Sequence, residues 1–181
     1  MKYVALMRGV APSTPPRNNA SIVPVLRALG LGEVTPVLSS GNYVFTADAD
    51  EAEIEDRIEA ALARELGTSV MTIVRSQARL QTIADNNPLA GTPHTRESYQ
   101  LVTFFKRPTA IGFDLPYQPE GTALRLVGCV DGALITLHNP HQPDGRTPAL
   151  MTWLERHYTR DLTSRTPLTL QRILNRLAAL A

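Results

Sequence analysis

Residues whose types could do chemistry gather at two places in the chain. The first pairs Arg8 and Gly9, in LMRGV, with Ser40, Gly41 and Asn42, in LSSGNYVF. A guanidinium, a hydroxyl and the amides of a glycine-bearing turn are the parts of a small anion pocket. Arg17, in the proline-rich loop after Arg8, supplies a second guanidinium. The same Gly41 and Asn42 equally suit the positive φ of a tight turn, with Ser40 bonding its own backbone. The second place pairs Arg146, in GRTPAL, with Arg165, in SRTPLT, each directly before an expected helix start. A cation there opposes the helix dipole, which an anion held between the two would explain. Solvated pairing with Asp144 or Asp161 explains it as well.

Other reactive side chains point to less. His138 and His141, in LHNPHQPDG with Asp144 nearby, are loosely spaced and lack a third ligand, so no metal or cofactor is expected. Either histidine could act as general base in a hydrolase or phosphoryl-transfer enzyme, the alternative to a binding module, but spacing alone assembles no acid, base and nucleophile set. The chain has no nucleophile elbow, phosphate-loop lysine or dinucleotide glycine fingerprint. Cys129, beside Val127 and opposite Leu134 in an expected hairpin, reads as a buried inert thiol. Trp153, His157 and Tyr158 on one helix are either an anchor for a protein partner or internal packing. Tyr43 and Phe45 read as core rather than as an RNA-stacking platform, because no basic patch accompanies them.

Composition narrows the classes further. With 181 residues, 43% of them hydrophobic, the chain can bury a core. Its 18 basic and 17 acidic residues leave a formal charge of +1, so no global field gathers nucleic acid or anionic membrane. Only Lys2 and Lys106 are lysines, so arginine carries nearly all the positive charge. A single cysteine allows no internal disulfide, and the apolar run in MKYVALMRGV is too short for a signal peptide, so a cytoplasmic address is expected. No apolar run approaches the length of a membrane helix.

The elements that must position the first group of residues follow from periodicity. Tyr3 to Met7 is apolar on both faces, as in a central strand. A short helix carries Ile22, Leu26 and Leu29, with Ser21 as its expected cap, since Pro24 suits only a first turn. Val34 to Leu38 and Tyr43 to Thr46 flank the SSGN turn as a hairpin. DEAEIEDRIEAALAREL is a helix with an acidic first turn, an apolar stripe of Ile54, Ile58, Ala61, Leu62 and Leu66, and a Gly67 stop. Val70 to Val74 follows as a strand. This order is the split βαβ pattern of a ferredoxin-like half. There the first and third strands are antiparallel neighbours, which brings Arg8 and Gly9 to Ser40, Gly41 and Asn42.

A second half begins with a helix over Gln77 to Asn86 and a strand over Tyr99 to Phe105. ALRLVGCV and ALITLH flank Asp131 and Gly132 as a second hairpin. Two helices end the chain, each opened by a Thr-Pro pair at Thr147 and Thr166. The expected fold class is α+β, a ferredoxin-like βαββαβ subdomain over 1–76 packed on a second α+β subdomain over 77–181.

In that order and spacing, YVALMRGV, LRALGLGEV and LSSGNYVF resemble the DUF1697 family of bacterial proteins, and the likeness extends through RTPALMTWLERHY to the last helix. Members typically open with a strand ending in Leu-Arg-Gly-Ile-Asn-Val-Gly-Gly and continue to a Ser-Gly-Asn hairpin. The resemblance implies two α+β subdomains and no transferable activity. Arg8, Gly9, Ser40, Gly41 and Asn42 match the family pattern. The chain departs from it at Ala11 to Arg17, where the family has a glycine pair and a basic residue, and at Ser164, Arg165, Thr166 and Pro167, where it has Thr-Arg-Asn-Trp. Prolines fix φ and remove donors, so the first loop cannot copy a close glycine backbone.

Overall fold

The computed structural model describes residues 1–139 and 147–181. The chain forms two compact units, Met1–Gln81 with Gln171–Ala181 and Thr82–Leu170. The division falls inside two helices, and residues 171–181 group with the first unit.

In the first unit β1 (Lys2–Met7), α1 (Asn19–Ala28), β2 (Gly32–Pro36), β3 (Asn42–Thr46), α2 (Glu51–Leu66) and β4 (Thr72–Ser76) follow the expected βαββαβ order. The sheet runs β2-β3-β1-β4, with β1 antiparallel to both neighbours. Tyr3, Ala5 and Met7 of β1 join Ile22 and Leu26 of α1 and Ile54, Ile58 and Leu62 of α2 in one core. That is the two-helix layer on one sheet face that the apolar stripes require. Helix α2 starts and stops as its sequence dictates: Asp50 accepts from Glu53 N–H at 2.8 Å, and Gly67 ends it in a left-handed conformation. Helix α1 starts earlier than expected. Asn18, not Ser21, is its cap, accepting from Ser21 N–H at 3.0 Å, and Pro24 stands inside the helix rather than in its first turn. Pro24 is exposed, so its ring meets solvent rather than a packed neighbour.

The edge strand β4 is closed off by its own helix. Glu51, Glu55 and Glu59 recur every fourth residue along α2, and their carboxylates accept from the backbone N–H groups of Ser76, Val74 and Thr72 at 2.8, 2.9 and 2.8 Å. These amides point away from β1 and would otherwise be free for a foreign strand.

The second unit repeats the connectivity. After α3 (Gln77–Asp85) come β5 (Tyr99–Phe105), β6 (Leu124–Val130), β7 (Ala133–His138), α4 (Thr147–His157) and β8 (Leu162–Arg165), followed by α5 (Pro167–Ala178). The sheet order β6-β7-β5-β8 matches that of the first unit position by position. The segment between the first two strands differs, for residues 106–123 contain no helix where the first unit has α1. Ile111, Phe113, Leu115 and Tyr117 pack from this segment onto the Leu101, Phe105, Leu150 and Leu154 core. Strand β8 is an addition to the expected elements. Its four residues, LTSR, are few and carry one apolar side chain, and pairing with β5 from Val102 to Phe105 makes them a strand. At the β6–β7 turn Asp131 and Gly132 both have positive φ, 47° and 74°, as the Asp-Gly signal requires.

Cys129 needs correction. It pairs with Leu134 as expected but is exposed, because β6 buries Leu124 and Leu126 and its register shifts between Leu126 and Gly128. Burial and backbone contacts still act on the thiol, and the net effect raises its pKa. Among the described residues no helix is long and apolar enough to cross a membrane.

Candidate functional site

The antiparallel β1–β3 register pairs Leu6 with Asn42, which carries the end of β1 to the turn before β3. Met7 N–H donates to Gly41 O at 2.8 Å, and Arg8 N–H donates to Met71 O at 3.0 Å on the other side. Arg8 and Gly9 therefore leave the sheet beside Ser40, Gly41 and Asn42. The close approach explains the glycine at 41: with φ of 79°, a β-carbon there would stand 2.8 Å from Met7 O. Only a residue without that atom fits both the turn and the strand.

These residues divide by role. Asn42 is 0% exposed, and its Nδ2 donates to Val37 O at 3.0 Å and to Ser40 Oγ at 3.2 Å. Both hydrogens of the amide brace the turn, and solvent does not reach them. Asn19 Nδ2 holds the same turn from outside through Leu38 O at 3.0 Å, and Tyr43 hydroxyl donates to Asn19 Oδ1 at 2.9 Å. Burial raises the Tyr43 pKa, so this hydroxyl stays a donor. Sequence reasoning gave no role to Asn19, whose contacts depend on where α1 ends up. Ser40 and Gly9 are exposed, and Arg8 and Arg17 are half-buried.

Arg17 arrives by a folded loop. Ala11 N–H donates to Arg17 O at 3.1 Å, Thr14 N–H to Ala11 O at 3.1 Å, and Arg17 N–H to Thr14 O at 2.7 Å, closing residues 11–17 on themselves. The Arg17 Nη1 then lies 3.3 Å from where a Gly9 β-carbon would be. Its guanidinium makes no hydrogen bond or ion pair among the described residues. The corner thus holds the Arg17 guanidinium over Gly9, next to a turn braced from beneath by Asn42.

Of the second expected pair, the described residues include Arg165 alone. Arg165 lies in β8, where its Nη1 donates to Thr163 Oγ1 at 2.7 Å and to Ser164 O at 2.9 Å. Burial pushes its pKa down to about 10, which leaves it charged at neutral pH. Thr166 caps α5, accepting from Thr169 N–H at 3.2 Å. Arg146, His141 and Asp144 lie outside the described residues. His138 is 2% exposed, too enclosed to serve as a general base toward a solvent-borne substrate. Among the described residues no three His, Cys, Asp or Glu side chains are grouped to hold a metal ion. Tyr43 and Phe45 are buried in the first core. Trp153 stacks on His157 with ring centroids 3.9 Å apart, and Tyr158 donates to Ile111 O at 3.0 Å, so this trio packs within the second unit.

Comparison with known proteins agrees with this architecture. No curated protein matches the chain. A solved structure of a conserved bacterial protein from Streptococcus pneumoniae is similar in fold, with a TM-score of 0.71 at 18% sequence identity over 98% of each chain. The family model described as a protein of unknown function, DUF1697, matches residues 1–114, a span that includes all of the first sheet and the Arg8, Arg17 and Ser40 corner. The chain therefore belongs to the DUF1697 family.

Proposed function

We propose that the protein is a non-catalytic module that binds a small phosphorylated or carboxylated ligand at the corner formed by Arg8, Gly9, Arg17 and Ser40. One observation carries this reading: the half-buried Arg17 guanidinium lies across Gly9 with no hydrogen-bond or ion-pair partner among the described residues. A cation brought to the end of the two central strands and left without a counter-charge favours an anion, and arginine's fork suits phosphate or carboxylate oxygens. Gly41 and Asn42 set the shape of the turn, and Ser40 stands exposed at its rim. Gly9 takes a positive φ of 73° beside the Arg17 Nη1.

Isothermal titration with orthophosphate, nucleoside monophosphates, sugar phosphates and citrate tests the reading. At least one should bind, and Arg17→Gln should weaken it by roughly ten- to a hundred-fold, the usual worth of a charge-assisted pair. Gly9→Ala, which places a methyl group against Arg17, should weaken the same ligand without unfolding the chain. Silence across the panel, or an affinity that ignores Arg17→Gln, sinks the reading.

A further inference from the structure

We infer that the second unit holds a separate binding site for a small planar carboxylate, in a cavity of about 460 Å³ beside α4 and the start of β6. The cavity follows from how the repeated topology is filled. In the first unit, α1 occupies the connection between the first two strands and lays Ile22 and Leu26 against Ile54 and Ile58 of α2. The second unit has no helix in the corresponding segment. Its aromatic part covers one end of the core, where Phe113 stacks on Tyr117 with centroids 4.2 Å apart and lies 6.1 Å from the Trp153 ring. Beyond that, from Gly121 to Leu124, the connection is only extended chain and turn, and the cavity opens between it and α4. Its volume falls within the range that small ligands occupy.

The walls select the ligand. Leu124 and Leu150, both buried, form an apolar floor, and the Trp153 ring forms a flat side. That ring is fixed by His157 stacked 3.9 Å away at 18° and by Tyr158 edge-on at 6.1 Å. A locked aromatic face beside an apolar floor suits a planar ring. Thr122 has its hydroxyl proton occupied, donating to Pro119 O at 2.8 Å. Arg156 lies at the wall with its guanidinium exposed and without a hydrogen-bond or ion-pair partner among the described residues, and among those residues no Asp or Glu lines the cavity. The indole N–H of Trp153 likewise has no partner among them. The polar side chains of the wall without a partner among the described residues, Arg156 and the Trp153 indole, are both donors, one of them cationic, and they call for an acceptor with negative charge. A flat ring bearing a carboxylate satisfies floor, side and charge together.

Trp153 is the chain's one tryptophan, so its fluorescence reports this cavity alone. The probes are 4-nitrobenzoate, whose nitroaromatic ring quenches indole on contact, and 4-nitrobenzamide, which has the same shape without the charge. With the full chain, 4-nitrobenzoate should quench saturably, while the amide and the Arg156→Gln variant should each weaken the response by roughly ten-fold or more. Arg156 is exposed, so its replacement leaves the fold intact, and Arg17→Gln should leave this titration unchanged. That separates the site from the Arg17 corner. Linear quenching matching that of N-acetyltryptophanamide, equal response to acid and amide, or indifference to Arg156→Gln overturns the inference.

Discussion

Replacing Glu55 with alanine should cost the first unit about 3–5 kcal/mol, the usual penalty for removing one member of a buried charge pair. Glu55 is 1% exposed, and one carboxylate oxygen serves two partners. It accepts Val74 N–H at 2.9 Å and stands 3.3 Å from Arg75 Nη1. Alanine leaves both the edge-strand amide and the guanidinium without it. Burial lowers the Arg75 pKa, and Glu51 and Glu55 oppose that shift, so loss of Glu55 removes part of what keeps the buried cation tolerable. Glu51 does not make good the loss, because its Oε2 stands 3.7 Å from Arg75 Nη1 and is engaged with Arg79 Nη1 at 2.6 Å, and the Arg79 charge disfavours the Arg75 cation. Glutamine keeps an acceptor for Val74 but loses the charge, so Glu55→Gln should fall between wild type and Glu55→Ala. Urea denaturation followed by circular dichroism measures both, and amide exchange at Val74 should quicken in step. A Glu55→Ala variant within about 1 kcal/mol of wild type would refute the role given to this carboxylate.

The same glutamates show where sequence reasoning stops. Their fourfold spacing on α2 and the acidic first turn were visible, and so were the Asp50 cap, the Gly67 stop and the Asp131–Gly132 hairpin. Each of those depends on a few neighbouring residues. What Glu55 touches lies 19 residues away, and nothing in a helical stripe says that an edge strand will need its carboxylates. Strand β8 was missed for a related reason. LTSR has neither the length nor the alternation to declare itself and becomes a strand only by pairing with β5. The position of Ser21 near Pro24 suggested a cap, yet Asn18 takes the place, and the helix carries its proline within.

The candidate corner was legible in part because topology did the work. A split βαβ order makes the first and third strands antiparallel neighbours, and Leu6 does face Asn42. The roles of the residues there were not readable in advance. Asn42 could have faced outward, and only the positions of Val37 O and Ser40 Oγ show it to be a brace. Arg17 was a cation in a proline-rich loop until three backbone hydrogen bonds folded that loop back across Gly9. The shared strand order of the two units depends on long-range pairing. The missing helix in the second unit shows only when the two sheets are compared strand by strand.

Acid should destabilise the second unit through His138, and replacing that residue should abolish the effect. His138 ends β7, pairs with both Tyr99 and Leu124, and has neither ring nitrogen hydrogen-bonded among the described residues. The Tyr99 ring meets it edge-on at 5.0 Å, and His94 packs on Tyr99 at 4.6 Å. Burial pushes the His138 pKa down to about 4, and the charge of His94 adds to the shift. His94 Nδ1 accepts from Gln100 N–H at 3.1 Å, which leaves its Nε2 to carry the proton in the neutral ring. In the unfolded chain His138 returns to its ordinary value near 6.5. Between the two values the unfolded chain takes up a proton that the native state refuses. Stability is therefore complete above the unfolded value and falls as pH drops toward 4, by about 3 kcal/mol from this residue. His138→Leu, of similar volume, should leave stability at neutral pH unchanged or higher, since it removes buried polar atoms that have no partner. It should also flatten the decline between neutral pH and pH 4. Denaturation midpoints measured across that range on both proteins decide the matter: parallel decline in wild type and variant would show that the acid sensitivity lies elsewhere.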